Sequence, residues 1–247
     1  MNKTVDLNCD MGEGLSNDAQ LMPLISSANI ACGYHAGDED TMKRTIELAI
    51  THRVAIGAHP GFKDKANFGR NEMPVTAPYL FDLITEQVVA LKNIADSFGV
   101  KLHHVKPHGA LYNMAARDAR LARTIAAAIK SVDPNLVLYG LSGSHLISEA
   151  GALKIKTAAE TFADRSYQID GSLTPRSIKG ALIENSADSL QQVLQMVNEK
   201  TVKTINGEII PINAETICIH GDGEHAVEFA ASIRKKLIAH QITIQTI

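Results

Sequence analysis

Short apolar runs alternate with longer amphipathic segments along the whole chain. The amphipathic segments repeat apolar side chains with the period of a helix, as in the stretch from Leu80 to Ala95 that precedes Gly99. The apolar runs have the length of strands buried between layers. We predict strands at residues 5–9, 29–34, 54–58, 100–105, 136–141, 155–159, 217–219 and 242–247.

Strands that alternate with helices pair in parallel through right-handed crossovers. Seven or eight such units predict a closed or nearly closed (β/α) barrel, formed by a single domain over residues 1–247. A doubly wound open sheet is the alternative, although no Gly-x-Gly-x-x-Gly follows the first strand. Residues 201–213 break the alternation. Two short extended runs there flank Asn206-Gly207, which predicts a small inserted β-hairpin.

The predicted strands end in polar and ionisable residues. In a parallel barrel the C-terminal ends of all strands open on one face, so these groups are expected to meet. The endings are NCDMGE at 8–13, CGYHAGD at 32–38, GAHPG at 57–61, KPHG at 106–109, Glu160 with Asp164 and Arg165, and HGDGE at 220–224.

The alternation of side chains along a strand predicts which of these groups face inward. Asp6, Asn8 and Asp10 share one face of the first strand. Lys106 and His108 share a phase in the fourth. Charges inside a barrel are costly, so this set must be mutually paired, metal-bound or substrate-bound. For Asp6 and Asn8, which lie deeper, a structural hydrogen-bond network is one interpretation.

Histidines from different strand ends predict a functional site. Asp10, His35 and His59 form a carboxylate and two imidazoles, a common set for a divalent metal ion in hydrolysis. No short His-x-x-x-His spacing supports a metal. Without one, Asp10 orients a histidine that acts as a general base toward water.

Two longer irregular stretches are candidates to complete the site. Residues 61–76 form an unusually long loop after a strand, which is typical of a lid. Residues 161–175 carry Arg165 and lead to Arg176, and either guanidinium can clamp a carboxylate through two hydrogen bonds.

Composition narrows the class of protein. The formal net charge is −3 and no basic run occurs, which argues against nucleic acid or a membrane surface as the partner. No run approaches the roughly 18 apolar residues of a membrane span. Three scattered cysteines do not form a disulfide framework, so a reduced, cytoplasmic protein is expected.

Five motifs resemble the LamB/YcsF family: DLNCDMGE at 6–13, ANIACGYHAGD at 28–38, GAHPGF at 57–62, VKPHGALYN at 105–113 and HGD at 220–222. The resemblance implies an incomplete or distorted (β/α) barrel of the glycoside hydrolase/deacetylase type. It also implies ATP-dependent opening of the lactam of a small-molecule substrate, 5-oxo-L-proline, to L-glutamate. The chain would act together with 5-oxoprolinase subunits B and C.

That reaction assigns roles to the strand-end residues. We expect Asp10, His59, Lys106 and His108 to be catalytic, with Lys106 stabilising the carbonyl oxygen or a phosphate. No Walker-type motif is present, so no ATP-contacting residue is predicted and the partner subunits are expected to handle part of the nucleotide chemistry. Two rivals are a metal-dependent deacetylase or glycan hydrolase and a non-catalytic substrate-presenting subunit. The residues expected to bind substrate are Asn8, Glu13, His35, Arg165, His220 and Asp222.

Overall fold

Seven parallel strands close into a barrel in a computed structural model that describes residues 3–219 and 226–247. Neighbouring strands follow one another along the chain, and the last barrel strand pairs with the first, which closes the ring. The barrel strands are β1 (Thr4–Met11), β2 (Ser27–Ala31), β3 (Ala55–His59), β4 (His104–Val105), β5 (Val137–Leu141), β6 (Thr157–Phe162) and β9 (Thr216–Ile219). The remaining described strands are β7 (Thr201–Lys203), β8 (Ile209–Pro211) and β10 (Thr243–Ile244).

Helices surround the barrel and bury their apolar stripes against the strands and one another. In the longest, Leu80, Ile84, Val88 and Leu91 are fully buried at the spacing of one helical face. The described helices are α1 (Asp18–Leu21), α2 (Glu39–His52), α3 (Ala77–Ser97), α4 (Gly109–Arg117), α5 (Ala119–Val132), α6 (His145–Ala152), α7 (Ser186–Glu199) and α8 (Ala226–Ala239). Two single 3₁₀ turns cover Met22–Leu24 and Lys65–Asn67. None of these helices is both long and apolar enough to cross a membrane.

The predicted barrel is confirmed, with seven strands in the ring rather than eight. The eighth predicted run contributes only β10, which pairs with β1 and lies outside the ring. The fourth strand is much shorter than predicted, because only His104 and Val105 pair with both neighbouring strands.

The predicted hairpin is also confirmed. Strands β7 and β8 pair antiparallel, from Thr201 with Pro211 to Lys203 with Ile209. The turn differs from the expected tight pair, because among its residues only Gly207 has a positive φ, of 98°. A backbone hydrogen bond from Thr204 to Glu208 closes the loop at three residues.

Candidate active site

A cavity of about 670 Å³ opens at the C-terminal ends of the barrel strands. Strand ends from different parts of the chain meet there, as parallel pairing requires. Part of the predicted loop at 61–76 also reaches the cavity, through Phe68, Arg70 and Glu72. The predicted site residues on its wall are Asp10, Glu13, His59, Lys106, His108 and Arg165.

Lys106 lies on the inner wall of this cavity and joins the polar groups of several strands. Its Nζ lies 2.9 Å from Asp10 Oδ1 and 2.9 Å from Glu160 Oε1. It also lies 3.2 Å from Asn8 Oδ1 and 3.1 Å from Cys218 Sγ. Burial alone lowers the pKa of Lys106, but the charges of Asp10, Cys218 and Glu160 raise it well above its usual value of 10.5. The site therefore holds a buried ammonium between two carboxylates.

Three histidines and a glutamate form a second cluster beside the lysine. His59 Nε2 lies 2.9 Å from His108 Nδ1, and Glu13 Oε1 lies 3.4 Å from that same His108 atom. His35 Nε2 lies 3.2 Å from Glu13 Oε1, and its ring stacks on that of His108 at 3.8 Å. Gly61 leaves room for this packing, because a side chain there would overlap the His35 ring.

Burial and crowding favour the neutral forms of His35 and His108. Burial and the neighbouring His59 lower the pKa of His35 to about 2. Burial, His59 and His35 lower the pKa of His108 well below its usual value of 6.5. A neutral imidazole can accept a proton or bind a metal ion through its lone pair. The ligand atoms of Glu13, His35, His59 and His108 all lie within 4.8 Å of one another, so this cluster has the dimensions of a metal site.

A deeper polar layer lies beneath the cavity. The Asp6 carboxylate accepts hydrogen bonds from the hydroxyls of Ser26, Ser27 and Thr216 at 2.6–2.8 Å. Burial raises the pKa of Asp6, and these hydrogen bonds lower it only in part. The expected hydrogen-bond network around Asp6 is therefore present in the structure.

Asn29 connects that layer to the cavity. Its Nδ2 donates to Asn8 Oδ1 and to Asp10 Oδ1, both at 2.8 Å. Its Oδ1 accepts from His104 Nε2 at 2.8 Å. The His104 ring in turn stacks on Tyr139, at 4.1 Å between centroids. A continuous chain of hydrogen bonds therefore runs from His104 to the carboxylate that pairs with Lys106.

Arg165 borders the other side of the cavity. It is 6% exposed, and its Nη2 donates to the Thr174 carbonyl at 2.6 Å. Its Nε is buried and has no hydrogen-bond partner among residues 3–219 and 226–247. Burial and the charge of Arg176 lower the pKa of Arg165 from 12.5. A buried guanidinium with a spare donor is suited to binding an anionic group of a ligand.

The structure separates the predicted site residues into those on the cavity wall and those behind it. Asn8 contacts Lys106 from the deeper layer, and His35 supports Glu13, but neither lines the cavity. His220 and Asp222 lie outside the described residues. Of the expected metal ligands, His35 and His59 belong to the cluster, and Asp10 lies beside it, with its Oδ2 3.4 Å from His59 Nε2.

Sequence reasoning misses two contributors to the site. Glu160 stands at a predicted strand end, but the sequence assigns it no role. It lies two residues from Ala158 and two from Phe162, so all three side chains share the inward phase of the strand. The second contributor is the carbonyl oxygen of Phe68, which accepts from His108 Nε2 at 2.9 Å. A backbone contact of this kind leaves no signal in the identity of the residue.

The fold defines the class of protein. The barrel matches a family 4 carbohydrate esterase from Streptomyces lividans with a TM-score of 0.54 and 10% identity, over 100% of this chain and 93% of that one. At this identity the likeness concerns the fold alone. The protein is thus a (β/α) barrel that shares the fold of this esterase.

The chain belongs to the LamB/YcsF family, whose model matches residues 5–247. It is 52% identical to a protein of Tolumonas auensis that is named as the A subunit of 5-oxoprolinase, over 98% of both chains. A Brevibacillus brevis protein of the same name is 53% identical, over 98% of this chain and 97% of that one. The solved lactam utilization protein of Thermus thermophilus has a TM-score of 0.93 and 38% identity, over 99% of this chain and 100% of that one.

Proposed function

We propose that this chain opens the lactam ring of 5-oxo-L-proline to give L-glutamate, as the A subunit of an ATP-dependent, cytoplasmic 5-oxoprolinase. The names of the curated relatives support this substrate. The observation that carries the proposal is the Lys106 ammonium, fixed by two carboxylates on the wall of a cavity that also holds a histidine cluster and Arg165. These groups match the needs of an amide hydrolysis.

Lys106 stabilises negative charge on the lactam oxygen. An unactivated lactam carbonyl is a poor electrophile, and transfer of a phosphoryl group from ATP to its oxygen makes the ring carbon more reactive. Charge on that oxygen, or on the phosphate, is then stabilised by a positioned cation. Because the pKa of Lys106 is raised, its side chain keeps the charge that this role needs.

The histidine cluster activates the attacking water. His59 and His108 lie on the cavity wall, and the neutral imidazole that burial favours at His108 can take a proton from water. The Asp10 carboxylate contacts both groups. Its Oδ1 lies 2.9 Å from Lys106 Nζ, and its Oδ2 lies 3.4 Å from His59 Nε2. Once water has attacked the phosphorylated carbonyl carbon, the ring C–N bond breaks and the nitrogen takes up a proton, which leaves an acyl phosphate. A second water then hydrolyses the acyl phosphate to L-glutamate and phosphate.

Arg165 binds the substrate carboxylate. Its buried Nε has no partner in the part of the chain that the structure describes, and a carboxylate in the cavity would supply one. Nucleotide binding is assigned in part to subunits B and C, because the chain contains no Walker-type motif.

The proposal is tested with Lys106→Met in the assembled three-subunit enzyme, following phosphate and glutamate separately. We expect glutamate release to fall by roughly 10²–10⁴-fold, because the oxygen loses its cation. The matched control is Lys235→Met, which changes an exposed lysine and leaves the rate unchanged. Wild-type glutamate release by Lys106→Met would remove this residue from the mechanism.

A metal-dependent deacetylase is the second candidate function. The cluster of metal-binding dimensions favours it. This function predicts that the isolated chain hydrolyses an acetylated sugar without ATP. The lactam-hydrolase function predicts no such activity. A purely substrate-presenting role predicts instead that 5-oxoproline binds and that turnover survives changes at His59 and His108.

A further inference from the structure

Three atoms on the cavity wall face one another at distances that fit a single ion. His59 Nε2 and His108 Nδ1 are 2.9 Å apart. Glu13 Oε1 lies 3.4 Å from the His108 atom and 3.8 Å from the His59 atom. The three residues come from separate strand ends, and all three line the cavity.

The outer nitrogens of the two rings fix their tautomers. His59 Nδ1 lies 2.7 Å from the Lys106 carbonyl oxygen, and His108 Nε2 lies 2.9 Å from that of Phe68. A carbonyl oxygen can only accept, so both outer nitrogens carry hydrogen. When either ring is neutral, its facing nitrogen therefore carries a lone pair.

Two lone pairs and a carboxylate oxygen at these distances repel one another unless a cation lies among them. The arrangement also has the outer hydrogen bonds of a metal site, in which each histidine ligand donates its other N–H to an acceptor. From this geometry we propose that Glu13 Oε1, His59 Nε2 and His108 Nδ1 bind one divalent transition-metal ion of the Zn²⁺ class.

The ligand set selects the class of ion. Two imidazoles and one carboxylate suit Zn²⁺ and related first-row ions, whereas Mg²⁺ and Ca²⁺ prefer oxygen ligands throughout. Three protein ligands leave a coordination position open to the cavity, which is typical of a catalytic site. When bound, such an ion would supply a water with a pKa near neutrality. This would take the place of proton transfer from water to His108, because the ion would occupy the lone pair that accepts the proton in the metal-free site. Only this water-activating role rests on the proposed function.

His35 is a positioning residue in this assignment. Its ring is parallel to that of His108, with an interplanar angle of 4°, so the two rings do not point at a common centre. Its Nε2 lies 3.2 Å from Glu13 Oε1 and can donate a hydrogen bond that orients the carboxylate. His35 also lies off the cavity wall.

The test measures metal binding to the full chain alone. The chain is stripped with a chelator, dialysed and titrated by calorimetry with Zn²⁺, and separately with Co²⁺ while its visible absorption is recorded. We expect one ion per chain, a Co²⁺ spectrum of nitrogen and oxygen ligands, and a higher melting temperature with the ion bound. Absence of saturable binding would overturn the proposal and favour a proton shared between the two rings.

The metal affinities of variants distinguish the proposed ligands from the positioning residue His35. His59→Ala and the near-isosteric Glu13→Gln should abolish binding or weaken it by more than about 100-fold. His35→Ala should weaken it by roughly 10–100-fold, as loss of an outer hydrogen-bond partner does. His52→Ala, the same substitution at the exposed end of α2, should leave binding unchanged.

Two results contradict the assignment. One is wild-type affinity in both His59→Ala and Glu13→Gln, and the other is equal weakening by His52→Ala. Circular dichroism of each metal-free variant identifies any that fail to fold. If His59→Ala does not fold, the metal affinity of Glu13→Gln, which removes a charge with little change of shape, tests the assignment. Metal binding without glutamate release by the three-subunit enzyme would reject the lactam reaction and leave the site standing. Full glutamate release by metal-free enzyme would reject the water-activating role.

Discussion

The barrel interior contains two polar layers that differ in how their buried polar groups are paired. The lower layer consists of Asp6, Ser27, His104, Tyr139 and Thr216, and the upper layer of Asp10, Glu13, His59, Lys106 and His108. In the lower layer the Asp6 carboxylate is surrounded by hydroxyl donors, and none of the five residues lines the cavity. The upper layer lines the cavity and brings like groups together.

The difference shows how buried polar residues that support a barrel can be told from those that bind a ligand. Buried polar groups are tolerated when each has a partner, as around Asp6. His59 Nε2 and His108 Nδ1 lie 2.9 Å apart, and the outer nitrogens of both rings already contact backbone oxygens. A pair of facing ring nitrogens of this kind is suited to hold a proton, an ion or a water between them. The upper layer is therefore built for a ligand, and the lower layer supports it.

Asp10→Asn tests the upper layer and should have the largest effect. The substitution keeps the shape but removes one of the two charges that hold Lys106, and the charge beside His59. We expect glutamate release by the three-subunit enzyme, assayed well below the unfolding temperature, to fall by roughly 10²–10⁴-fold. The melting temperature should fall as well, because the buried Lys106 loses one of its two charge partners. Asp82→Asn, at an exposed position of α3, is the control. Unchanged turnover in Asp10→Asn would place this carboxylate with the structural layer.

Thr216→Val tests the lower layer. The Thr216 hydroxyl donates to Asp6 Oδ2 at 2.6 Å and accepts from Asn8 Nδ2 at 2.7 Å. Its removal takes one hydrogen bond from Asp6 Oδ2 and one from Asn8 Nδ2, both buried, which costs about 1–3 kcal/mol of unfolding free energy. Denaturant titration measures the loss. Turnover at a temperature well below unfolding should remain close to that of the wild type.

Thr161→Val is the matched control for this substitution. Thr161 is also fully buried, on the neighbouring strand β6, but its hydroxyl has no hydrogen-bond partner among the residues that the structure describes. Loss of that hydroxyl should be neutral or slightly stabilising. Equal destabilisation by both valines would mean that packing, rather than the hydrogen bonds of Thr216, stabilises the lower layer.

Much of this division could be predicted from the sequence. Strand alternation placed Asp6, Asn8 and Asp10 on one inward face, and the structure connects each of them to partners inside the barrel. Parallel pairing predicted that Lys106 and His59 would meet, and both lie on the cavity wall. These predictions worked because they depend only on period and topology.

Other features depend on distances that no pattern encodes. The inward phase of Glu160 was readable, but its ion pair with Lys106 depends on the register between β6 and the strands across the barrel. The tautomers of His59 and His108 are fixed by backbone oxygens, which every residue type carries. Strand alternation places Thr161 and Thr216 on opposite faces of the barrel wall, but the hydrogen bonds of the Thr216 hydroxyl depend on distances to Asp6 and Asn8 that the sequence does not give.

His104→Gln tests the lower layer through pH and should have the smallest effect near neutrality. Burial, His103 and Lys106 lower the pKa of His104 well below 6.5, so the folded chain keeps this ring neutral. The unfolded chain takes up a proton there as the pH falls below about 6.5. Protons bound only by the unfolded state favour unfolding, so stability is lost as the pH falls from about 6.5 toward the folded-state pKa.

Glutamine keeps a donor for Asn29 but does not titrate, so it removes this contribution to the pH dependence. Urea unfolding between about pH 7 and pH 5 should show a shallower loss of stability in His104→Gln, by about 1.4 kcal/mol per pH unit once the pH is well below 6.5. His145→Gln, at the exposed start of α6, should leave the slope unchanged. If the wild-type slope persists in His104→Gln, the ring is charged in the folded protein. The lower layer would then contain an unbalanced charge, and its contrast with the upper layer would fail.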